Sequence, residues 1–154
     1  MIYDAGDSES EDFKRSWFDK KFDLNLDHPN LPYLIDGPVL LTESSAIMRY
    51  ICNKWAPDLL GTTPEEQGTI SMLESNLYDL QTTCYIACHI ECAIKDYIKQ
   101  AISEKLTVFN KYLADRKWLA GDNFTFVDLV FNEVLQLVDY ALNGTLKFTL
   151  LVEY

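Results

Sequence analysis

Three cysteines and a histidine near the middle of this 154-residue chain have side chains suited to metal or redox chemistry. Cys84, Cys88 and Cys92 recur every four residues, and His89 directly follows Cys88. A single straight helix spreads such side chains along one stripe, so it cannot surround a tetrahedral zinc ion without ligands from elsewhere. We therefore interpret the thiols as small side chains packed between helices, and we predict no metal site.

The start of a predicted helix is a second candidate for chemistry. Ser44 lies among cap-type residues, and the apolar residues that follow over 46–51 have helical spacing. Free amide groups and the helix dipole make such an N-terminus a site for anions. The alternative interpretation is that Ser44 is an ordinary N-cap residue.

The elements that must position these residues form two groups. Short apolar runs over 33–35 and 39–41 flank an Asp-Gly pair, which predicts an antiparallel hairpin before the helix. After a linker, residues 63–66 combine a cap, a proline at the first helical position and a capping-box glutamate. We predict an α/β portion over residues 1–56 and an all-helical domain over residues 63–154.

Apolar stripes predict the core of the helical domain. One stripe contains Ile70, Leu73, Leu77, Leu80, Cys84 and Ala87, and a second contains Ile98, Ile102, Leu106, Phe109 and Leu113. A third helix begins at a capping box formed by Thr125 and Asp128, with Val127, Val130, Phe131 and Val134 facing inward. We expect the first two helices to pack together. The short apolar tail over residues 143–154 has no assigned structure.

Composition restricts the class of protein. Thirteen basic and 24 acidic residues give a net charge of -11, which repels phosphate backbones and anionic lipids and argues against nucleic-acid and membrane partners. No apolar run is long enough to span a membrane, and the first residues lack the pattern of a signal peptide. Four cysteines are too few for a disulfide scaffold. A soluble cytoplasmic protein with reduced thiols is expected.

Two motifs carry a resemblance to a known family. The segment LDHPNLPYLIDG at residues 26–37, followed by ESSAIMRY at residues 43–50, resembles the glutathione transferases, and the mu class in particular. The similarity extends in register through WLAG at residues 118–121 and FTFVD at residues 124–128, and it fades near residue 140. It implies a truncated thioredoxin-like α/β portion that binds glutathione, followed by an all-α domain.

The resemblance implies an activity and a state of assembly. Family members transfer the thiolate sulfur of glutathione to small electrophilic substrates in detoxification, as cytoplasmic homodimers without a cofactor. They begin earlier, with a strand and helix that carry a catalytic tyrosine, and they end later with further helices, so this chain is expected to lack both pieces. The alternatives are a catalytically inactive relative that serves as an interaction or dimerisation module or ligand carrier, and an incomplete gene product.

The resemblance also implies how two parts of glutathione are held. Trp17 and Lys21 match the indole and ammonium that bind the glycyl carboxylate, and Lys14 stands where the family has an arginine that contacts the same end. Leu31 matches the residue whose backbone pairs with the cysteinyl unit. Pro32 follows it, and the family's proline at that position is cis.

The remaining matches surround the γ-glutamyl unit and the electrophile. Ser44 matches the residue that binds the γ-glutamyl carboxylate, and Asn30 matches a neighbouring contact position. Glu43 replaces a mu-class glutamine but keeps an oxygen for an ammonium group. Asp79 matches the acid that reaches across the dimer to the same ammonium. His89 aligns with a tyrosine that assists on the electrophile side.

Overall fold

The structure, a computed structural model, describes residues 14–89 and 95–142. The chain divides into two compact units, Met1–Trp55 and Ala56–Tyr154. Cys92 and the tail over residues 143–154 lie outside the described residues.

The first unit is built on a small hairpin. It contains helix α1 at Arg15–Phe18, strand β1 at Tyr33–Asp36, strand β2 at Val39–Thr42 and helix α2 at Ser44–Trp55. The strands pair antiparallel, with Tyr33 opposite Thr42 and Asp36 opposite Val39. Gly37 opens the two-residue turn with a φ of 60°, a conformation that glycine adopts without a steric penalty. The predicted hairpin and helix are confirmed.

The second unit is helical. A 3-10 helix at Pro57–Leu60 precedes helices α3 at Pro64–His89, α4 at Lys95–Leu113 and α5 at Phe126–Ala141. In the described ranges no helix combines the length and apolar character needed to cross a membrane.

A capping box starts α3, as the sequence predicts. The Thr63 hydroxyl accepts from the Glu66 amide at 3.2 Å, and the Glu66 carboxylate accepts from the Thr63 amide at 3.3 Å. The same carboxylate accepts from the Thr62 amide at 2.7 Å and the Thr62 hydroxyl at 2.8 Å. The Thr62 amide, followed by its hydroxyl, holds the pKa of Glu66 below its usual value.

The core of the second unit follows the predicted stripes closely. Helix α3 packs against both α4 and α5, and its buried residues are the six that the sequence predicts. Four of the five residues predicted on α4 are buried, whereas Ile98, in the first turn of that helix, is partly exposed. On α5, Phe126 is buried and Val130 is only partly buried. The rings of Phe109 and Phe131 lie 5.3 Å apart and join α4 to α5.

Asp128 both caps α5 and anchors the preceding loop. One carboxylate oxygen accepts from the Thr125 amide at 2.8 Å and from the Thr125 hydroxyl at 3.1 Å. The other oxygen accepts from the Leu119 amide at 2.9 Å. Leu119 lies in a tight turn in which Trp118 and Gly121 exchange backbone hydrogen bonds. The predicted capping box is confirmed, and its Asp128 also accepts a hydrogen bond from the preceding loop.

Candidate functional site

The segment before β1 is exposed to solvent. The peptide bond between Leu31 and Pro32 is cis, as the resemblance implies, and both residues are exposed. The side chain of Asn30 bridges from this segment to the start of α2. Its Oδ1 accepts from the Leu31 amide at 2.9 Å, and its Nδ2 donates to Glu43 Oε1 at 3.1 Å. The structure therefore brings Asn30, Leu31 and Glu43 together.

The start of α2 forms the second part of this cluster. Ser44 is the first residue of the helix and is exposed. Glu43, just before it, has a φ of 71°, and its carbonyl accepts from the Ile47 amide at 3.0 Å. A non-glycine residue in the left-handed region costs roughly 1–3 kcal/mol and is typical of ligand sites. The first amides of α2 have no partner within the helix, so this exposed end is suited to an anion.

Trp17 packs α1 against the first residue of β1. Its side chain is 8% exposed, and its ring stacks on Tyr33 with the centroids 6.1 Å apart and the planes at 17°. Because Tyr33 directly follows the cis proline, this stack positions α1 beside the Leu31–Pro32 segment.

Basic side chains flank Trp17. Lys14 precedes α1 with a φ of 59°, and its carbonyl accepts from the Trp17 and Phe18 amides. The Lys21 ammonium lies 4.9 Å from the Phe18 ring centroid and 4.7 Å from that of Phe22. Residues 14–21 contain four basic residues and one acid in a protein of net charge -11. This local charge favours a carboxylate ligand near α1.

Asp79 and His89 belong to the second unit. Asp79 is exposed on α3, and its carbonyl accepts from the Thr83 hydroxyl at 2.7 Å. His89 is exposed at the end of α3, with Nδ1 2.8 Å from the Tyr85 carbonyl oxygen. Because a carbonyl oxygen only accepts, this contact is a hydrogen bond in the tautomer that carries a proton on Nδ1. In the neutral ring Nε2 is then an acceptor, and only the imidazolium donates from Nε2.

The cysteines of α3 differ in environment. Cys84 is completely buried, and burial, followed by the neighbouring Cys88 thiol, raises the pKa of Cys84 to about 11. Cys88 is partly exposed. Within residues 14–89 and 95–142, no group of three or more histidine, cysteine, aspartate or glutamate residues is arranged to hold a metal ion.

A second bridge in the first unit was not predicted from the sequence. The Asp36 carboxylate accepts from the Tyr50 hydroxyl at 2.7 Å and forms an ion pair with Lys54. The hydrogen bond from Lys54, followed by that from Tyr50, lowers the pKa of Asp36. This bridge ties the end of β1 to the C-terminal half of α2. The spacing of Tyr50 and Lys54, four residues apart on α2, is the one signal for it in the sequence.

Comparison with known proteins identifies both units. The sequence model of the glutathione S-transferase N-terminal domain matches residues 4–53, and that of the C-terminal domain matches residues 77–154. Glutathione S-transferase Mu 1 of Bos taurus is 39% identical over 140 residues, which cover 88% of this chain and 62% of that protein. Glutathione S-transferase Mu 5 of Homo sapiens matches with the same identity and coverage.

Solved structures give the same fold. The crystal structure of the glutathione S-transferase Blo t 8 superposes with a TM-score of 0.76 at 25% identity, covering 86% of this chain and 63% of that one. The chain thus spans about three fifths of the length of the relatives it matches. Its fold is a thioredoxin-like portion with a short two-stranded sheet, followed by an all-helical domain.

Proposed function

The chain belongs to the glutathione S-transferase family, with mu-class relatives, and from that premise we propose that it binds glutathione along its first unit. We further propose that it conjugates the glutathione sulfur to small electrophilic molecules. The observation that carries the binding proposal is the cluster in which Asn30 joins the Leu31–Pro32 segment to Glu43 and the start of α2.

Each charged group of glutathione has a counterpart in this unit. The γ-glutamyl carboxylate accepts from the Ser44 hydroxyl and the first amides of α2, where the helix dipole adds to the attraction. The γ-glutamyl ammonium faces the Glu43 carboxylate, and the cysteinyl unit pairs with the backbone of Leu31. The glycyl carboxylate lies among Trp17, Lys14 and Lys21, where the local excess of positive charge favours it.

The conjugation forms one carbon–sulfur bond. The glutathione thiol loses its proton to water, and the thiolate sulfur attacks the electrophilic carbon. That carbon then expels a leaving group with the bonding electrons, or, in an addition, the displaced electron pair moves to another atom of the electrophile and that atom takes up a proton. We assign His89 to the electrophile side, where the imidazolium donates from Nε2 while Nδ1 stays bound to the Tyr85 carbonyl.

We also propose that the protein is a cytoplasmic homodimer in which Asp79 of one protomer faces the ligand of its partner. Asp79 lies on the α3 face turned away from the core, and Met72 and Ile86, seven residues to either side, are 51% and 45% exposed. Exposed apolar side chains on one helix face are typical of a protein contact.

Calorimetric titration of the 154-residue chain with glutathione tests the binding proposal. We expect saturable binding that Ser44→Ala weakens, because the variant loses a hydrogen bond to the ligand carboxylate. Ser45→Ala is the matched control, since Ser45 is an exposed serine one position along the same helix. If both variants bound glutathione with the same affinity as the natural chain, Ser44 would not be part of the site.

Conjugation is measured separately with 1-chloro-2,4-dinitrobenzene as the electrophile. A rate above that of the uncatalysed reaction supports the enzyme. A folded chain that does not accelerate this reaction supports the alternative, a catalytically inactive relative that serves as an interaction or dimerisation module or ligand carrier.

A further inference from the structure

Helix α1 is too short to be stable without tertiary contacts. It has four residues, Arg15–Phe18, whereas isolated helices of fewer than about 12 residues are only marginally stable in water. Its buried residue is Trp17. Burial of the Trp17 side chain therefore anchors α1, and the basic residues on either side of it, to the rest of the first unit.

The ring that packs against Trp17 belongs to the hairpin. Trp17 and Tyr33 stack with their centroids 6.1 Å apart and their planes at 17°, a geometry in which aromatic pairs attract each other beyond the burial of their surface. Tyr33 is the first residue of β1, and its backbone is paired opposite Thr42 on β2. Tyr33 thus gives the indole a support that is itself fixed to the sheet.

We propose that Tyr33 is a positioning residue, whose ring holds the Trp17 indole, and α1 with it, in place to bind the glycyl carboxylate of glutathione. This inference rests on the proposed glutathione binding. The stack uses the face of the indole, whereas its N–H donor lies in the ring plane at the edge, so stacking does not occupy the donor. The γ-glutamyl unit is assigned to the start of α2, so the effect of Tyr33 should be confined to the glycyl end.

A pair of ligands separates this role from a general effect on the fold. The methylamide of γ-glutamylcysteine keeps the γ-glutamyl unit and the thiol of glutathione, but it has a methyl group in place of the glycyl CH2 and carboxylate. We expect Tyr33→Val, which keeps a strand-forming residue, to weaken glutathione binding about three- to tenfold, the factor that corresponds to one aromatic pair. Its affinity for the methylamide should equal that of the natural chain, because this ligand has no carboxylate for Trp17 to hold.

Two further variants serve as controls in the same titrations. Tyr33→Phe keeps the ring and removes only the hydroxyl, so it should bind both ligands as the natural chain does. Tyr97→Val removes a tyrosine ring that is 74% exposed on α4, in the second unit, and it should also leave both affinities unchanged.

Fluorescence measures the position of Trp17 without any ligand. The chain has three tryptophans, so Trp55→Phe combined with Trp118→Phe leaves Trp17 as the only one. Trp17 is 8% exposed, and acrylamide should quench its fluorescence weakly. Adding Tyr33→Val should increase the quenching because the indole loses its stacking partner, whereas adding Tyr33→Phe should not.

Calorimetry of each variant, with circular dichroism to show that it is folded, gives a defined outcome in every case. Failure of the natural chain to bind glutathione overturns both this inference and the proposed function. Binding by the natural chain, combined with no loss in Tyr33→Val or an equal loss for both ligands, overturns the positioning role alone. A loss in Tyr33→Phe as large as that in Tyr33→Val, or unchanged quenching in Tyr33→Val, also overturns it. If Tyr33→Val does not fold, Tyr33→Leu, which keeps more apolar surface, takes its place.

Discussion

Removal of the Asp128 carboxylate should destabilise the second unit more than any other change to a polar side chain considered above. The carboxylate accepts three hydrogen bonds, one from the Leu119 amide and two from Thr125. Leu119 is 1% exposed and Thr125 is 3% exposed, so water does not replace the missing acceptor. Asp128→Ala leaves both buried amides without that partner, and each unsatisfied donor costs about 1–3 kcal/mol.

The expected total for Asp128→Ala is about 3–4 kcal/mol, which is a large part of the 5–15 kcal/mol that is typical of whole domains. Asp128→Asn keeps one acceptor oxygen and should cost about 2 kcal/mol, since one amide then faces an NH2 group. Glu133→Ala removes the same charge from an exposed position on α5 and should change stability by less than about 0.5 kcal/mol.

Urea denaturation followed by far-ultraviolet circular dichroism, at one fixed protein concentration, measures these differences. The expected order of stability is the natural chain and Glu133→Ala together, then Asp128→Asn, then Asp128→Ala. If Asp128→Ala were as stable as Glu133→Ala, the three hydrogen bonds would contribute nothing net. A loss in Asp128→Asn as large as that in Asp128→Ala would refute the reasoning from the number of acceptor oxygens.

Three further predictions concern stability. Gly61→Ala should lower the free energy of unfolding by at least about 2 kcal/mol, because φ is +85° and the new Cβ would lie 3.0 Å from two side chains. Gly68→Ala should raise it by about 0.5–1 kcal/mol, because the Cβ meets open space on α3 and alanine favours the helix. Thermal melts of the two variants measure this difference. The pKa of Cys84 is raised from 9.0 to about 11, so the stability that is present below pH 9.0 is lost as the pH rises through about 11, by up to about 2–3 kcal/mol. The free energy of unfolding should therefore fall less steeply with alkaline pH in Cys84→Ala than in the natural chain. The lowered pKa of Asp36, caused first by Lys54, means that stability is lost as the pH falls below 3.8, and Asp36→Asn should reduce this acid sensitivity in pH-dependent melts.

Local patterns in the sequence predicted most of the second unit. The six buried residues of α3 follow from helical periodicity alone, since they face the core at intervals of three and four residues. The capping boxes at Thr63 and Thr125 also follow from residues three positions apart. Partial exposure of Ile98 was not predictable in this way, because periodicity gives the face of a helix and not the point at which its neighbours end.

The candidate site also combines residues that the sequence indicated with contacts that it did not. Resemblance pointed to Ser44, Asn30 and Glu43 as separate ligand contacts, and no local pattern indicated that Asn30 and Glu43 bond to each other. The left-handed backbone of Glu43 likewise has no signature in a residue type that disfavours it. The stack of Trp17 on Tyr33 joins residues sixteen positions apart.

The sequence by itself therefore determined the elements, their caps and the buried face of each long helix, because these depend on neighbours within about one helical turn or one strand pair. Only the tertiary structure decided which polar side chains meet across elements, as with Asp36 and Lys54, or Leu119 and Asp128. Those pairs depend on how hairpins, loops and helices pack, and the free energy that selects the packing comes mainly from buried apolar surface rather than from the polar groups themselves.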